Sequence, residues 1–246
     1  MDFTLKKYKE LLIALQSHGE VALRHDVDRK PQNSLRTALM ERELGWKAVY
    51  YFRAVPESWD ESIVLQIGSM GHKIGYHYES LATCQGDVGK AYLDFSKNLE
   101  KMRSVVPVTH ICMHGSPKSK WDSRDLWKHY DYHQLGVVAE PYLDTDFSKV
   151  FYLTDTGRRW DGYKVSVRDK VPQYQEQWLK EGLSFHTTDD IIRALSDPGH
   201  PIQHKSLFIN THPQRWTDNK VAWLGELVSQ SAKNLVKRAM VLPKNV

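Results

Sequence analysis

Val21-Ala-Leu-Arg-His-Asp-Val-Asp28 is the stretch that decides the fold, because it is an apolar run that closes on acidic residues. A short run of this kind is typical of a strand that is buried in a parallel sheet. Residues 34–44 follow with a helical pattern, and Gly45 stands where glycine commonly ends a helix. A strand followed by a helix is the unit of α/β proteins, so this stretch predicts a parallel sheet.

The same strand-and-helix unit recurs along the whole chain. Further strands are predicted at residues 48–52, 73–77, 109–114, 150–153 and 207–212, with shorter ones at 136–138 and 164–167. No linker interrupts the series, so we expect one domain over residues 1–246. Its predicted architecture is an irregular (β/α) barrel of about seven parallel strands, and an open, doubly wound sheet is the alternative. No glycine-rich phosphate-binding loop follows a strand, which excludes the nucleotide-binding form of the open sheet.

Composition and charge exclude several classes of protein. Hydrophobic residues make up 41% of the chain and charged residues 26%, as in ordinary globular proteins. The net charge of +4 comes from dispersed residues, which argues against a nucleic-acid partner. The sequence shows neither a secretory leader nor a membrane span, so we expect a cytoplasmic protein. Its two cysteines, Cys84 and Cys112, lack CxxC spacing and predict no metal or redox motif.

Asp26 and Asp28 lie two residues apart at the end of the first predicted strand. Side chains at this spacing point to the same face, so both carboxylates should enter the same site. Two carboxylates that close cannot both ionise in a cleft unless a cation or a donor compensates them. A divalent metal held by one of them resolves the conflict, and the other can act as general base on a water molecule.

Imidazole groups stand at the ends of other predicted strands, at His77, His114 and His212. Because active sites of parallel barrels form at the carboxyl ends of the strands, we expect these groups to meet the aspartates. The side chain of His77 should lie on the same face as Gly75, where a glycine leaves room for a close approach. Of His114 and His212, one could complete the metal shell and the other protonate a leaving group. Nitrogen and oxygen ligands suit Zn²⁺ first, and also Ni²⁺, Co²⁺ or Fe²⁺.

Three segments of the chain resemble the motifs of the polysaccharide-deacetylase superfamily, also described as NodB-homology or carbohydrate esterase family 4-like proteins. Arg24-His-Asp-Val-Asp28 is similar to the first motif, with Asp-x-Asp in place of adjacent aspartates. Gly71-His-Lys-Ile-Gly-Tyr-His77 resembles the second, and Asn210-Thr-His212 resembles the last. The resemblance extends over roughly residues 21–216 and implies a NodB-like barrel.

This resemblance also implies roles for individual residues. Asp26 is the expected general base, Asp28 and His77 are expected metal ligands, and His212 is the expected general acid. Asp155-Thr-Gly-Arg-Arg-Trp160 falls where the family has an Asp/Trp motif that supports the base.

The chain departs from the family at two positions that affect the metal shell. Leu81 stands where the family has its second histidine ligand, and His114-Gly-Ser-Pro117 occupies the approximate place of the third motif, Arg-x-Pro-Tyr/Phe. Another side chain must therefore supply the third protein ligand. His114 is the preferred candidate and Glu79 the second.

The expected activity is that of a metal-dependent hydrolase, an N-deacetylase acting on a sugar or a related small acylated metabolite. Hydrolysis of another non-peptide C–N bond, as in allantoinase-like relatives, is one alternative. A catalytically degenerate protein that binds a glycan or a partner is the other. Arginines near the rim would suit an anionic substrate. The residues expected to contact the substrate are Arg24, Tyr78, Glu79, Arg158, Arg159, Trp160 and Arg215.

Overall fold

The computed structural model describes residues 1–116, 119–162 and 165–241, with side chains described as far as residue 237. Its strands are β1 Val21–Val27, β2 Ala48–Phe52, β3 Lys73–Tyr78, β4 Val108–Met113, β5 Val150–Thr154 and β6 Ser206–Thr211. Its α-helices are α1 Leu5–Leu15, α2 Pro31–Glu43, α3 Glu61–Ser69, α4 Ser80–Thr83, α5 Val88–Arg103, α6 Pro141–Asp144, α7 Pro172–Lys180, α8 Thr188–Ser196 and α9 Lys220–Val241.

The six strands form one sheet in the order β4-β3-β2-β1-β6-β5, and helices connect them. The pairs β2–β3, β3–β4 and β5–β6 are parallel. The predicted α/β class with a parallel sheet is therefore confirmed. The described residues contain six strands, whereas about seven were expected.

Two of the short predicted strands are not strands in the structure. A 3₁₀ turn, Tyr132–Leu135, ends at Gly136 in a left-handed conformation (φ 68°), and only an isolated bridge from Ala139 to His110 follows. Left-handed backbone interrupts a strand, which explains why residues 136–138 do not form the predicted strand. Of the second segment, residue 164 lies outside the described residues, and residues 165–167 form a turn and a bend.

The chain forms two compact units. The central unit comprises residues 25–145, and the terminal unit comprises residues 1–24 together with 146–246. β1 contributes residues to both. The single domain expected over residues 1–246 stays a prediction.

Several local signals explain the elements of the central unit. α2 begins at Pro31, three residues before the predicted start, because proline fits the first turn of a helix. Gly45 and Gly71 follow α2 and α3 with φ of 78° and 84°, a conformation that favours glycine.

Gly75 in β3 was expected to leave room for a close approach beside His77, but the structure gives a different reason for the glycine. A Cβ there would meet the ring of Tyr51 at 2.4 Å, so an aromatic side chain and not a ligand fills that space.

Among the described residues, no helix combines the length and the apolar character that crossing a membrane requires. The cytoplasmic location stays a prediction.

Candidate metal centre

The carboxyl ends of the strands β1, β3 and β4 carry a cluster of polar side chains in the central unit. Asp26 is the next-to-last residue of β1, and Asp28 is the first residue after that strand. His77 lies near the end of β3, and His114 directly follows β4. Parallel strands bring their carboxyl ends to one edge, and this topology places residues from distant parts of the sequence side by side.

Asp28 lies at the centre of this cluster. Its Oδ1 atom is 3.6 Å from Nε2 of His77 and also 3.6 Å from Nε2 of His114. Oδ2 of Asp26 is 3.9 Å from Nε2 of His77. Asp28, His77 and His114 form a group whose donor atoms all lie within 4.8 Å of one another. The structure thus brings together the four residues expected to be the base and the metal ligands.

Hydrogen bonds on the far side of each imidazole decide which nitrogen faces the cluster. Nδ1 of His77 lies 2.9 Å from the backbone oxygen of Cys112, and Nδ1 of His114 lies 2.8 Å from Oε2 of Glu79. A carbonyl oxygen and an ionised carboxylate can only accept, so Nδ1 donates in both rings. The neutral form of each ring then presents the lone pair of Nε2 to Asp28, as metal-bound histidines do.

These separations fit a metal shell better than direct hydrogen bonds. Nitrogen–oxygen hydrogen bonds are about 2.7–3.2 Å long, and the two imidazole-to-carboxylate distances of 3.6 Å exceed that range. Donors bound tetrahedrally at zinc distances of ~2.1 Å lie about 3.4 Å apart. The distances from Oδ1 of Asp28 to the two imidazole nitrogens are therefore close to the spacing that a bound divalent cation requires.

Glu79 holds the ring of His114 and is itself held by Arg53. Nε of Arg53 donates to Oε1 of Glu79 at 3.0 Å, while Oε2 of Glu79 faces His114. Burial raises the pKa of Glu79, but the hydrogen bond from His114, together with the charge and the hydrogen bonds of Arg53, outweighs this effect and lowers the pKa to about 2. Glu79, the second candidate for the third ligand, thus has the position of a residue that orients a ligand.

Arg53 is a part of the site that the sequence prediction missed. It directly follows β2, donates from Nη1 to the backbone oxygen of Asp28 at 3.3 Å, and receives support from Ser58, whose Oγ accepts from its backbone N–H at 2.9 Å. The hydroxyl of Ser58 in turn donates to the backbone oxygen of Val27. These bonds tie the ends of β1 and β2 together. The signal that could have identified Arg53 is its position directly after the strand predicted at residues 48–52.

We expect Glu79→Gln to weaken divalent-cation binding about 10- to 100-fold, because glutamine has one oxygen where two donors, Arg53 and His114, need two. Isothermal titration with Zn²⁺ measures this change. Glu57→Gln, at an exposed position of the same unit, is the matched control and should bind as the wild type does. Equal affinity in Glu79→Gln and the wild type would show that Glu79 does not orient a ligand.

His212, the expected general acid, belongs to the terminal unit and follows β6. Its Nδ1 lies 2.6 Å from Oδ1 of Asp155, and its backbone N–H donates to Oδ2 of Asp155 at 3.0 Å. Arg215 and Trp216 donate to the same carboxylate at 2.5 and 2.7 Å. The carboxylate of Asp155 thus contacts the expected acid, and the support of the base that the resemblance implies for the Asp155 motif stays a prediction. Catalysis by His212 stays a prediction.

Most of the residues expected to bind substrate are buried and already engaged. Arg24 is 1% exposed, and Tyr78, with no exposure, accepts a hydrogen bond from Trp127 at 2.8 Å. Arg158 lies over the ring of Trp223 at 4.7 Å. Arg159 pairs with Asp161, Trp160 donates to Thr188 at 2.9 Å, and Arg215 pairs with Asp155. These contacts are typical of structural residues, and the roles in substrate binding stay predictions.

No protein-family model matches the chain, and a comparison with curated proteins finds no significant match.

Proposed function

We propose that this chain is a divalent-cation-dependent amide hydrolase with the barrel architecture of the polysaccharide-deacetylase superfamily. Its proposed reaction is removal of an acetyl group from the nitrogen of a sugar or a related small metabolite. One observation supports this proposal above the others: the donor atoms of Asp28, His77 and His114 all lie within 4.8 Å of one another, and the second carboxylate, Asp26, lies beside them. The first and second motif resemblances agree with this geometry.

Each residue of the proposed site has a distinct role. Asp28, His77 and His114 hold the cation, which we propose to be Zn²⁺ because the ligands are nitrogen and oxygen. When bound, such a cation lowers the pKa of a water molecule and polarises an acyl oxygen. Asp26 accepts the proton of the attacking water. Glu79 and the carbonyl of Cys112 keep Nε2 of both imidazoles directed at the site.

The two ligand side chains nearest to solvent mark the open side of the site. The side chains of Asp28 and His114 are 26% and 18% exposed, whereas those of His77 and Asp26 are 2% and 4% exposed. A catalytic metal site keeps one coordination position open for water or substrate. The exposure of Asp28 and His114 provides such an approach, and it favours an enzymatic site over a closed structural one.

We expect the purified protein to contain about one divalent cation per chain and to release acetate from at least one N-acetylated sugar. Removal of the cation with a chelator should reduce this release to background, and added Zn²⁺ should restore it. Elemental analysis and an acetate assay over a panel of acetylated sugars and cyclic amides measure both properties. Ring opening of a cyclic amide alone would identify the allantoinase-like alternative.

A different result would contradict the proposal. Substoichiometric metal that Zn²⁺, Co²⁺ or Ni²⁺ cannot restore, with no turnover of any member of the panel, would show a protein that binds without catalysis. Full acetate release by the chelated protein would show that the cation has no role.

A further inference from the structure

A second group of potential metal donors lies beside the proposed site, on its buried side. Asp26, His77 and Cys112 have donor atoms that all lie within 4.8 Å of one another. The three residues are 3%, 2% and 0% exposed. Cys112 is the register partner of His77 across β3 and β4, so the strand pairing itself fixes the thiol next to the imidazole.

The two groups share His77, and only one of its nitrogens can serve an ion. Nδ1 of His77 is bonded to the backbone oxygen of Cys112, and Nε2 is the nitrogen that lies near both carboxylates. Nε2 lies 3.6 Å from Asp28 and 3.9 Å from Asp26. Because one lone pair cannot bind two cations, an ion at the Asp26 side and an ion at the Asp28 side exclude each other.

The two positions differ in chemistry. The Asp28–His114 side offers oxygen and nitrogen donors and is partly exposed, whereas the Asp26 side adds a sulfur donor and is closed. Thiolates select soft cations such as Cd²⁺ and Cu⁺, and closed sites with sulfur ligands hold them tightly. When such a cation binds, the thiol of Cys112 becomes a thiolate and its proton leaves to solvent.

We propose that Asp26, His77 and Cys112 form a binding site for thiophilic cations, and that a soft cation there displaces the ion of the neighbouring site. The inhibitory consequence depends on the proposed function. Occupation of this site withdraws His77 from the catalytic ion and Asp26 from the water molecule, so acetate release should stop. The buried site is thus a place where Cd²⁺ would poison the enzyme.

Titration of Cd²⁺ into the purified protein of residues 1–246 tests the proposal. We expect the ultraviolet sulfur-to-cadmium charge-transfer band to grow to saturation at about one equivalent, with release of the resident cation in parallel. Cys112→Ala should lose the band. Cys84→Ser, which changes the other cysteine of the same unit, should keep it. His114→Ala should also keep it, since His114 belongs only to the other group.

A substitution at a second proposed ligand tests the site independently, in case Cys112→Ala fails to fold. Asp26→Asn keeps the thiol and should weaken Cd²⁺ binding roughly 10-fold or more while retaining the band at saturation. A band that persists in Cys112→Ala, that requires Cys84, or that grows while the resident cation stays bound would overturn the proposal. Metal-dependent acetate release without the band would refute this site alone. The expected band in a protein that releases no acetate would refute only the proposed function.

Discussion

Asp26→Ala is expected to lose acetate release almost completely while the protein keeps its cation. A general base contributes about 100- to 10,000-fold to the rate of such reactions, so kcat should fall by that factor. The bound cation should stay, because Asp28, His77 and His114 form a complete group without Asp26. Parallel measurement of acetate release and of metal content per chain separates the two effects.

Asp28→Ala is the paired variant that distinguishes a base from a ligand. Oδ1 of Asp28 is the oxygen that faces both imidazoles, so its removal should abolish cation binding and hydrolysis together. The proposed division of roles requires the two variants to differ in metal content. Robust acetate release by Asp26→Ala would remove Asp26 from the mechanism, and full metal content in Asp28→Ala would remove Asp28 from the shell.

The convergence of these residues could be foreseen because it depends only on topology. In a parallel sheet, residues at the carboxyl ends of strands share one edge whatever their distance in the sequence. Asp28 and His114 directly follow their strands, and Asp26 and His77 lie near strand ends. The alternation of strands and helices was therefore sufficient to predict that these four residues meet.

Other features of the site depend on pairing register and side-chain conformation, which the sequence pattern does not contain. Cys112 was set aside because it lacks CxxC spacing, but a thiol and an imidazole on neighbouring strands need no sequence spacing at all. The orientation of His114 depends on Glu79, and that of His77 on a backbone carbonyl. The partner of Asp155 could not be inferred from a motif that lies about sixty residues from His212.

We expect Asp155→Ala to be among the most destabilising single substitutions in the chain. Asp155 is completely buried, and donors from His212, Arg215 and Trp216 occupy both of its oxygens. Removing one partner of a buried ion pair costs about 3–5 kcal/mol, because the remaining charge, here Arg215, stays buried without its counter-charge. Urea denaturation followed by tryptophan fluorescence should show a correspondingly lower free energy of unfolding.

The stabilisation by Asp155 should also depend on pH with a definite sign. Burial raises the pKa of Asp155, but the charges of Arg215 and His212 outweigh it and hold the pKa below its usual range. A carboxylate whose pKa is lower in the folded state stabilises the protein fully above its unfolded pKa of about 3.9. This contribution is lost as the pH falls through the folded pKa, so the difference between the wild type and Asp155→Ala should shrink only in strong acid.

Two further variants separate charge from packing at this position. Asp155→Asn preserves the shape of the side chain. Because the contacts of Asp155 come from N–H groups, the amide nitrogen of asparagine must face a group that also donates. We therefore expect Asp155→Asn to lower the free energy of unfolding clearly as well. Asp146→Ala, at an exposed position of the same unit, should change the unfolding midpoint far less. If Asp155→Asn unfolded at the wild-type urea concentration, the negative charge would not be what stabilises the cluster, and the shape of the side chain alone would explain its burial.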